Sequence, residues 1–228
     1  MIRNQYQKVR DQLNEAAVKA GRKPEDVALM AVSKTVDVAR IVQAIEAGAV
    51  LLGENRVQEL SEKRPQLSTD NVQMHMIGHL QSNKAAKAAQ HADMIQSVDS
   101  VKIAREISKA CTAQEKKMPV LLEVNIGCEA AKFGFLPEQL DEALSEIALL
   151  PGIFVRGLMT IPPFLDDKRQ TAQFFSQMNQ LFLDIRYKKM DNITMDVLSM
   201  GMSDDFELAV AEGSTLVRVG SAIFGSRY

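Results

Sequence analysis

Lys34 follows an apolar run that extends from Val27 to Val32, in the stretch LMAVSKTVD (29–37). A short, uninterrupted apolar run reads as a strand buried on both faces. A lysine at its end is either a solvated charge or an amine placed to bond a carbonyl compound covalently. Two later stretches carry residue types that can hold an anion. LSMGMSDDFELAV (198–210) passes from an apolar run through Gly201 and Met202 into a helical pattern, with Ser203 as the expected N-cap. Free backbone N–H groups beyond such a cap can hold an anion, although Asp204 and Asp205 already complement the helix dipole. Alone, this stretch reads as a capped helix. LVRVGSAIFGSR (216–227) places Gly220, which leaves the backbone unobstructed, before the hydroxyl and N–H of Ser221. Arg218 interrupts the apolar run, where a guanidinium is costly without an acceptor. A ring nitrogen and a carboxylate are the two acceptors to expect.

These residues need a scaffold. The first segment is helical, with Ile2, Tyr6, Val9, Leu13, Ala16 and Ala20 at helical spacing and Gly21 as its C-cap. Short apolar runs then begin near Val27, Val50, Val72, Asp93, Val120, Ile153, Ile193 and Thr215. Helical segments at 37–47, 54–63, 82–90, 99–112, 137–147, 168–185 and 204–211 separate them. That alternation is what repeated βα units produce, and eight of them predict one (β/α)8 TIM barrel over residues 1–228 with an extra N-terminal helix. No G-x-G-x-x-G follows the first strand to favour an open doubly wound sheet.

In a barrel of this kind chemistry sits at the C-terminal strand ends. The candidate residues there are Lys34, Glu54, Asn55, Gly78 and His79 with Gln81–Lys84, Asn125, Thr160, Ser199–Ser203 and Arg218–Ser221. Phosphate commonly sits in the loops after strands seven and eight, and both loops here carry glycine and serine. Strand eight closes against strand one, so Lys34 is expected beside them. A phosphate anchor next to a strand-end lysine suggests a phosphorylated aldehyde or ketone held as a Schiff base. Glu123 and Arg156 interrupt apolar runs on adjacent strands and are expected to form a structural ion pair. Segments 159–170 (MTIPPFLDDKRQ) and 127–136 are the expected mobile parts, the first broken by Pro162 and Pro163.

Composition narrows the partners. The chain has 228 residues, 46% hydrophobic and 25% charged, with net charge −2. That balance makes no electrostatic case for nucleic acid or an anionic membrane. No apolar run approaches the ~20 residues of a membrane span, and the N-terminus has no apolar signal core. Cys111 and Cys128 form no C-x-x-C pair and read as small buried hydrophobes in a cytoplasmic chain. No exposed apolar stripe stands out, so a monomer is expected. His75 and His91 have no metal-ligand spacing.

The stretches AVSKT, GENRVQE, HMIGHLQSNK, KFGF, RGLMTIPP, LSMGMSDDFELAV and STLVRVGSAIFG span nearly the whole chain. Together they resemble the YggS/PROSC-type pyridoxal phosphate-binding proteins, the pyridoxal phosphate homeostasis family, whose barrel is similar to the N-terminal domain of alanine racemase. The resemblance implies that Lys34 holds pyridoxal 5′-phosphate as a Schiff base and that Arg218 faces its pyridine nitrogen. It places Ser203, Gly220 and Ser221 around the phosphate with Gly201 and Met202 nearby, and Asn55 near the ring or its hydroxyl. His79 departs from the family pattern, and a solvated side chain is expected there.

The resemblance implies a protein that binds and buffers the cofactor, with apo-enzymes that need it as possible recipients. The competing reading is an amino-acid racemase of low activity. Two-base racemisation needs a second acid/base group on the opposite face of the substrate. In alanine racemase that group is a tyrosine from a C-terminal domain. None of Tyr6, Tyr187 and Tyr228 is clearly placed for this role, and no second domain is expected after the barrel. A Schiff-base aldolase acting on a sugar phosphate is the third reading.

Overall fold

The computed structural model describes residues 1–67 and 71–225. Eight parallel strands close into a barrel in the order β1 to β8. They are β1 (Ala28–Val32), β2 (Leu51–Glu54), β3 (Gln73–Met76), β4 (Met94–Val98), β5 (Met118–Glu123), β6 (Ile153–Met159), β7 (Ile193–Ser199) and β8 (Leu216–Val219). Helix α1 (Ile2–Lys19) precedes the barrel. The strands alternate with α2 (Val38–Glu46), α3 (Val57–Lys63), α4 (Ala85–His91), α5 (Val101–Thr112), α6 (Leu140–Ile147), α7 (Lys168–Tyr187) and α8 (Phe206–Ala211). A single turn, α9 (Ser221–Phe224), follows β8.

Helix α1 buries the stripe Ile2, Tyr6, Val9, Leu13 and Ala16, each of the larger side chains gaining about 1.5–3 kcal/mol. It ends where expected. Gly21 takes φ +71°, and the Arg22 N–H reaches back to the Ala17 carbonyl at 2.9 Å, closing a Schellman turn. Strand β1 pairs with β8 through Ala28–Leu216 to Ala31–Val219, which sets the loop carrying Lys34 beside the loop carrying Gly220.

Most apolar side chains pack between the strands and the surrounding helices. Two smaller groups fill the barrel interior: Met30, Val32, Leu51, Ile77 and Leu216, and separately Met94, Leu121 and Met159. Among the interior polar residues are His75, Gln96, Ser199 and Arg218, all buried.

Some boundaries depart from the periodicity. Helix α3 begins at Val57 and not at 54, because Glu54 completes β2 and is held there by Ser33 and Lys63. Helix α8 begins at Phe206, with Asp205 as its N-cap residue instead of Ser203. The Asp205 Oδ1 accepts the Met202 N–H at 2.6 Å, which closes the loop from within, and Ser203 instead meets Ser221 after β8. Lys168–Gln170 belong to α7, whose N-cap Asp167 accepts the Arg169 N–H, so only 160–167 lacks regular structure.

The Glu123–Arg156 pair does not form. The β5–β6 register slips between Val120 and Leu121, so that Val155 and Gly157 are the paired residues and Arg156 falls on the bulge. Arg156 instead reaches Asp196 on β7 at 3.4 Å, at the surface. Cys111 is buried as expected, but Cys128 is exposed, on a loop where it takes φ +51°.

Candidate functional site

A cavity of about 310 Å³ opens at the C-terminal end of the barrel. Seven of the eight residues expected at the site line it: Lys34, Asn55, Met202, Ser203, Arg218, Gly220 and Ser221. Val32, Ile77 and Ile161 supply apolar wall, and Asp204 adds a carboxylate. The eighth residue, Gly201, supports the loop from behind. It takes φ +93°, and a Cβ there would stand 2.6 Å from the Ala209 Cβ, so only glycine lets this turn lie on α8.

The loops after β7 and β8 meet at their hydroxyls, with Ser221 Oγ donating to Ser203 Oγ at 3.0 Å. Arg40 on α2 donates to the Phe224 carbonyl and so ties α9 to the helix that follows the Lys34 loop. Burial pushes the Asp205 carboxyl up, against the pull of the Met202 N–H and the Arg218 charge.

Behind Lys34 lies a buried ionic network. Lys63, the last residue of α3, spends its three donors on the Ser33 carbonyl (2.8 Å), Glu54 Oε1 (2.8 Å) and Glu59 Oε2 (2.9 Å). Ser33 Oγ also donates to Glu54 Oε1, at 2.7 Å. The Thr35 N–H donates to Glu59 Oε2 at 2.6 Å, and Thr35 itself takes φ +61°. Burial pushes the Glu54 carboxyl up, and the bonds from Lys63 and Ser33 only partly offset it. Its Oε2 is buried with no hydrogen-bond partner. Glu59 also feels burial, but the bonds from Lys63 and Thr35 prevail and hold it below the usual carboxylate range.

Arg218 is held by a different device. Its Nη1 donates to Ser199 Oγ at 2.7 Å and its Nη2 to the Thr160 carbonyl at 2.8 Å. Arginine can only donate, so the rest of the chain has a fixed direction. Ser199 Oγ donates to Gln96 Oε1 at 2.7 Å. Gln96 Nε2 then donates to His75 Nδ1 at 2.9 Å. His75 must therefore be neutral with its proton on Nε2, which faces Gln73 Oε1 at 3.4 Å. Burial drives the His75 pKa down to about 3, which agrees with that tautomer. Burial also lowers Arg218 to about 10, against the raising pull of Glu123 and Asp205, and it remains a cation at neutral pH. Burial and the nearby Asp99 charge raise the Glu123 pKa to about 7, against the lowering pull of Arg218.

His79 is exposed but not simply solvated. Its Nδ1 lies 2.7 Å from Asp99 Oδ2, and its ring stacks on Phe133 with centroids 3.6 Å apart. Phe133 sits on the 127–136 loop, which is tied at its base by the Asn125 N–H to the Phe135 carbonyl and the Phe135 N–H to the Glu123 carbonyl. Segment 160–167 is held by Lys132 Nζ on the Pro162 carbonyl at 3.1 Å. A second cavity, of about 530 Å³, lies between this segment and residues 202–208. Tyr6 donates to the Gly48 carbonyl from α1, Tyr187 is exposed at the end of α7, and Tyr228 lies outside the described residues. Among the described residues no tyrosine lines the cavity that contains Lys34.

Sequence reasoning reached Thr160, Ser199 and Glu54 as strand-end polar residues, but not what they hold. It missed Gln96, Glu59 and Lys63 and gave His75 no role. Gln96 interrupts an apolar run, MIQSV, much as Arg218 interrupts LVRV; that signal marks both as interior partners.

The alanine racemase N-terminal domain family matches residues 5–228. The pyridoxal phosphate homeostasis protein of Pseudomonas aeruginosa is 40% identical over 96% of this chain and 93% of its own length. That of Escherichia coli K12 is 39% identical over 99% and 97%. The structure of PipY from Synechococcus elongatus PCC7942 with PLP bound superposes with a TM-score of 0.86 at 33% identity, covering 99% of this chain and all of that one (100%). The chain belongs to the alanine racemase N-terminal domain family, and within it to the pyridoxal phosphate homeostasis proteins.

Proposed function

We propose that this protein binds pyridoxal 5′-phosphate through Lys34 and serves in its homeostasis as a buffer or carrier. The observation that carries the reading is the meeting, on one cavity, of a strand-end lysine, two apposed serine hydroxyls and a buried arginine. The donor set fits the group. Ser203 and Ser221, with the backbone around Gly201, Met202 and Gly220, would hold the phosphate. Asn55 would face the ring or its hydroxyl, and Arg218 the ring nitrogen. When bound, the group supplies an aldehyde carbon that condenses with a primary amine, releasing one water. Lys34 presents that amine. Val32, Ile77 and Ile161 give the cavity an apolar wall. Arg218 keeps its proton at neutral pH and does not hand it to a ring nitrogen, which leaves a weak electron sink. That favours holding the group over turning over an amino acid.

The finer parts of this reading are a cytoplasmic monomer that passes the cofactor to apo-enzymes. Among the described residues no helix is long and apolar enough to cross a membrane. The experiment is to load the protein with pyridoxal phosphate and follow α-proton exchange of L-alanine in deuterated buffer by NMR. The carrier reading expects a bound cofactor and exchange no faster than in Lys34→Ala. Exchange well above that background would support the racemase instead.

A further inference from the structure

We propose that Glu59 and Lys63, neither of which lines the cavity, are positioning residues that fix the backbone of Lys34 for covalent capture. The proposal rests on Lys34 being the capturing amine. The two peptide planes that flank the Lys34 Cα are both tied to α3. The plane before it carries the Ser33 carbonyl, which accepts from Lys63 Nζ at 2.8 Å. The plane after it carries the Thr35 N–H, which donates to Glu59 Oε2 at 2.6 Å. Peptide planes are rigid, so fixing both fixes φ and ψ of Lys34 and the direction of its Cα–Cβ bond.

The two anchors are themselves joined, Lys63 to Glu59 at 2.9 Å, four residues apart on one helix. Thr35 is β-branched yet takes φ +61°, a conformation that persists only where the surroundings hold it. Lys63 is buried and Glu59 largely so, and Glu54 braces Lys63 from β2. Asn55, which lines the cavity, follows Glu54 directly on the chain. A condensing amine must approach the aldehyde carbon in a narrow range of geometries, and small misplacements cost large factors in rate.

The test separates covalent capture from plain binding. Capture of pyridoxal phosphate is timed by stopped-flow absorbance, and affinity is measured for 4-deoxypyridoxine 5′-phosphate, which lacks the aldehyde. In Glu59→Ala the capture rate should fall about tenfold or more, while the deoxy analogue binds within about twofold of the parent. Glu59→Gln, which keeps an acceptor for the Thr35 N–H, should recover part of the rate; it also serves if the alanine variant does not fold. Unchanged capture in both folded variants would overturn the proposal, and so would equal losses of capture and of analogue binding. Capture that persists in Lys34→Ala would overturn the assignment of the amine instead, a result the Glu59 variants cannot mimic.

Discussion

On the β1–β2 side of the cavity, the backbone around Lys34 is tied by ionisable side chains: Lys63, Glu54 and Glu59. On the β7–β8 side, Arg218 is held by neutral groups that run through Ser199 and Gln96 to a neutral His75. The first network sits outside the strands, between the barrel and α3; the second crosses the interior. The difference follows from the solvent. The helix-facing network can keep carboxylates because one member, Glu59, reaches toward water, whereas the interior chain holds its one cation, Arg218, through neutral hydrogen-bond acceptors. The charged network leaves one buried oxygen, Glu54 Oε2, unpaired, while His75, Gln96, Ser199 and Arg218 leave no buried side-chain atom without a partner.

The comparison can be broken most severely at Lys63. Lys63→Met removes the ammonium bonded to the buried Glu54, and a stranded carboxylate costs about 3–5 kcal/mol. Urea unfolding at pH 7 measures that loss, and it should shrink at acid pH as Glu54 takes up a proton. Next is Gln96→Leu, which strands the Ser199 hydroxyl and His75 Nδ1 together, at about 3 kcal/mol for two buried groups. Its loss should show little dependence on pH near neutrality, in contrast to Lys63→Met. Equal pH profiles for the two variants would erase the distinction between the networks.

Glu123 sharpens the same contrast. Its proton is held more tightly in the folded chain, with a pKa of about 7 against 4.5, so its share of stability is present at acid pH and is lost as pH rises through 7. Glu123→Gln should therefore be more stable than the parent at pH 8, by up to about 3 kcal/mol, with the difference vanishing near pH 4. His75 contributes the opposite slope, losing stability as pH falls from 6.5 toward 3. The smallest effect is expected at Arg156, where Arg156→Ala breaks only an exposed pair with Asp196 and should cost less than about 1 kcal/mol in thermal unfolding.

How far the sequence carried differs between these regions. The barrel was legible because each βα unit repeats an apolar run and an amphipathic helix, and the strand-end rule then gathered Lys34, Ser203, Arg218 and Ser221 on one mouth. The supports were not legible. Lys63 lies at the end of a helix, nine positions after Glu54, and nothing in its spacing shows that it folds back under β1. The Glu123–Arg156 reading failed because one slipped register moves a side chain to another face, and a bulge leaves no mark in the apolar pattern. Ser203 was misread as a cap because Asp205, two positions later, closes the loop better.

The central claim is that Lys34 is the amine that holds the cofactor. The direct measurement is mass spectrometry of protein incubated with pyridoxal 5′-phosphate, reduced with borohydride and digested. The account predicts a pyridoxyl phosphate mass on the peptide containing Lys34, at close to one per chain, and none in Lys34→Ala. A reduced adduct of that stoichiometry on a different lysine, or no adduct in the parent protein, would contradict it.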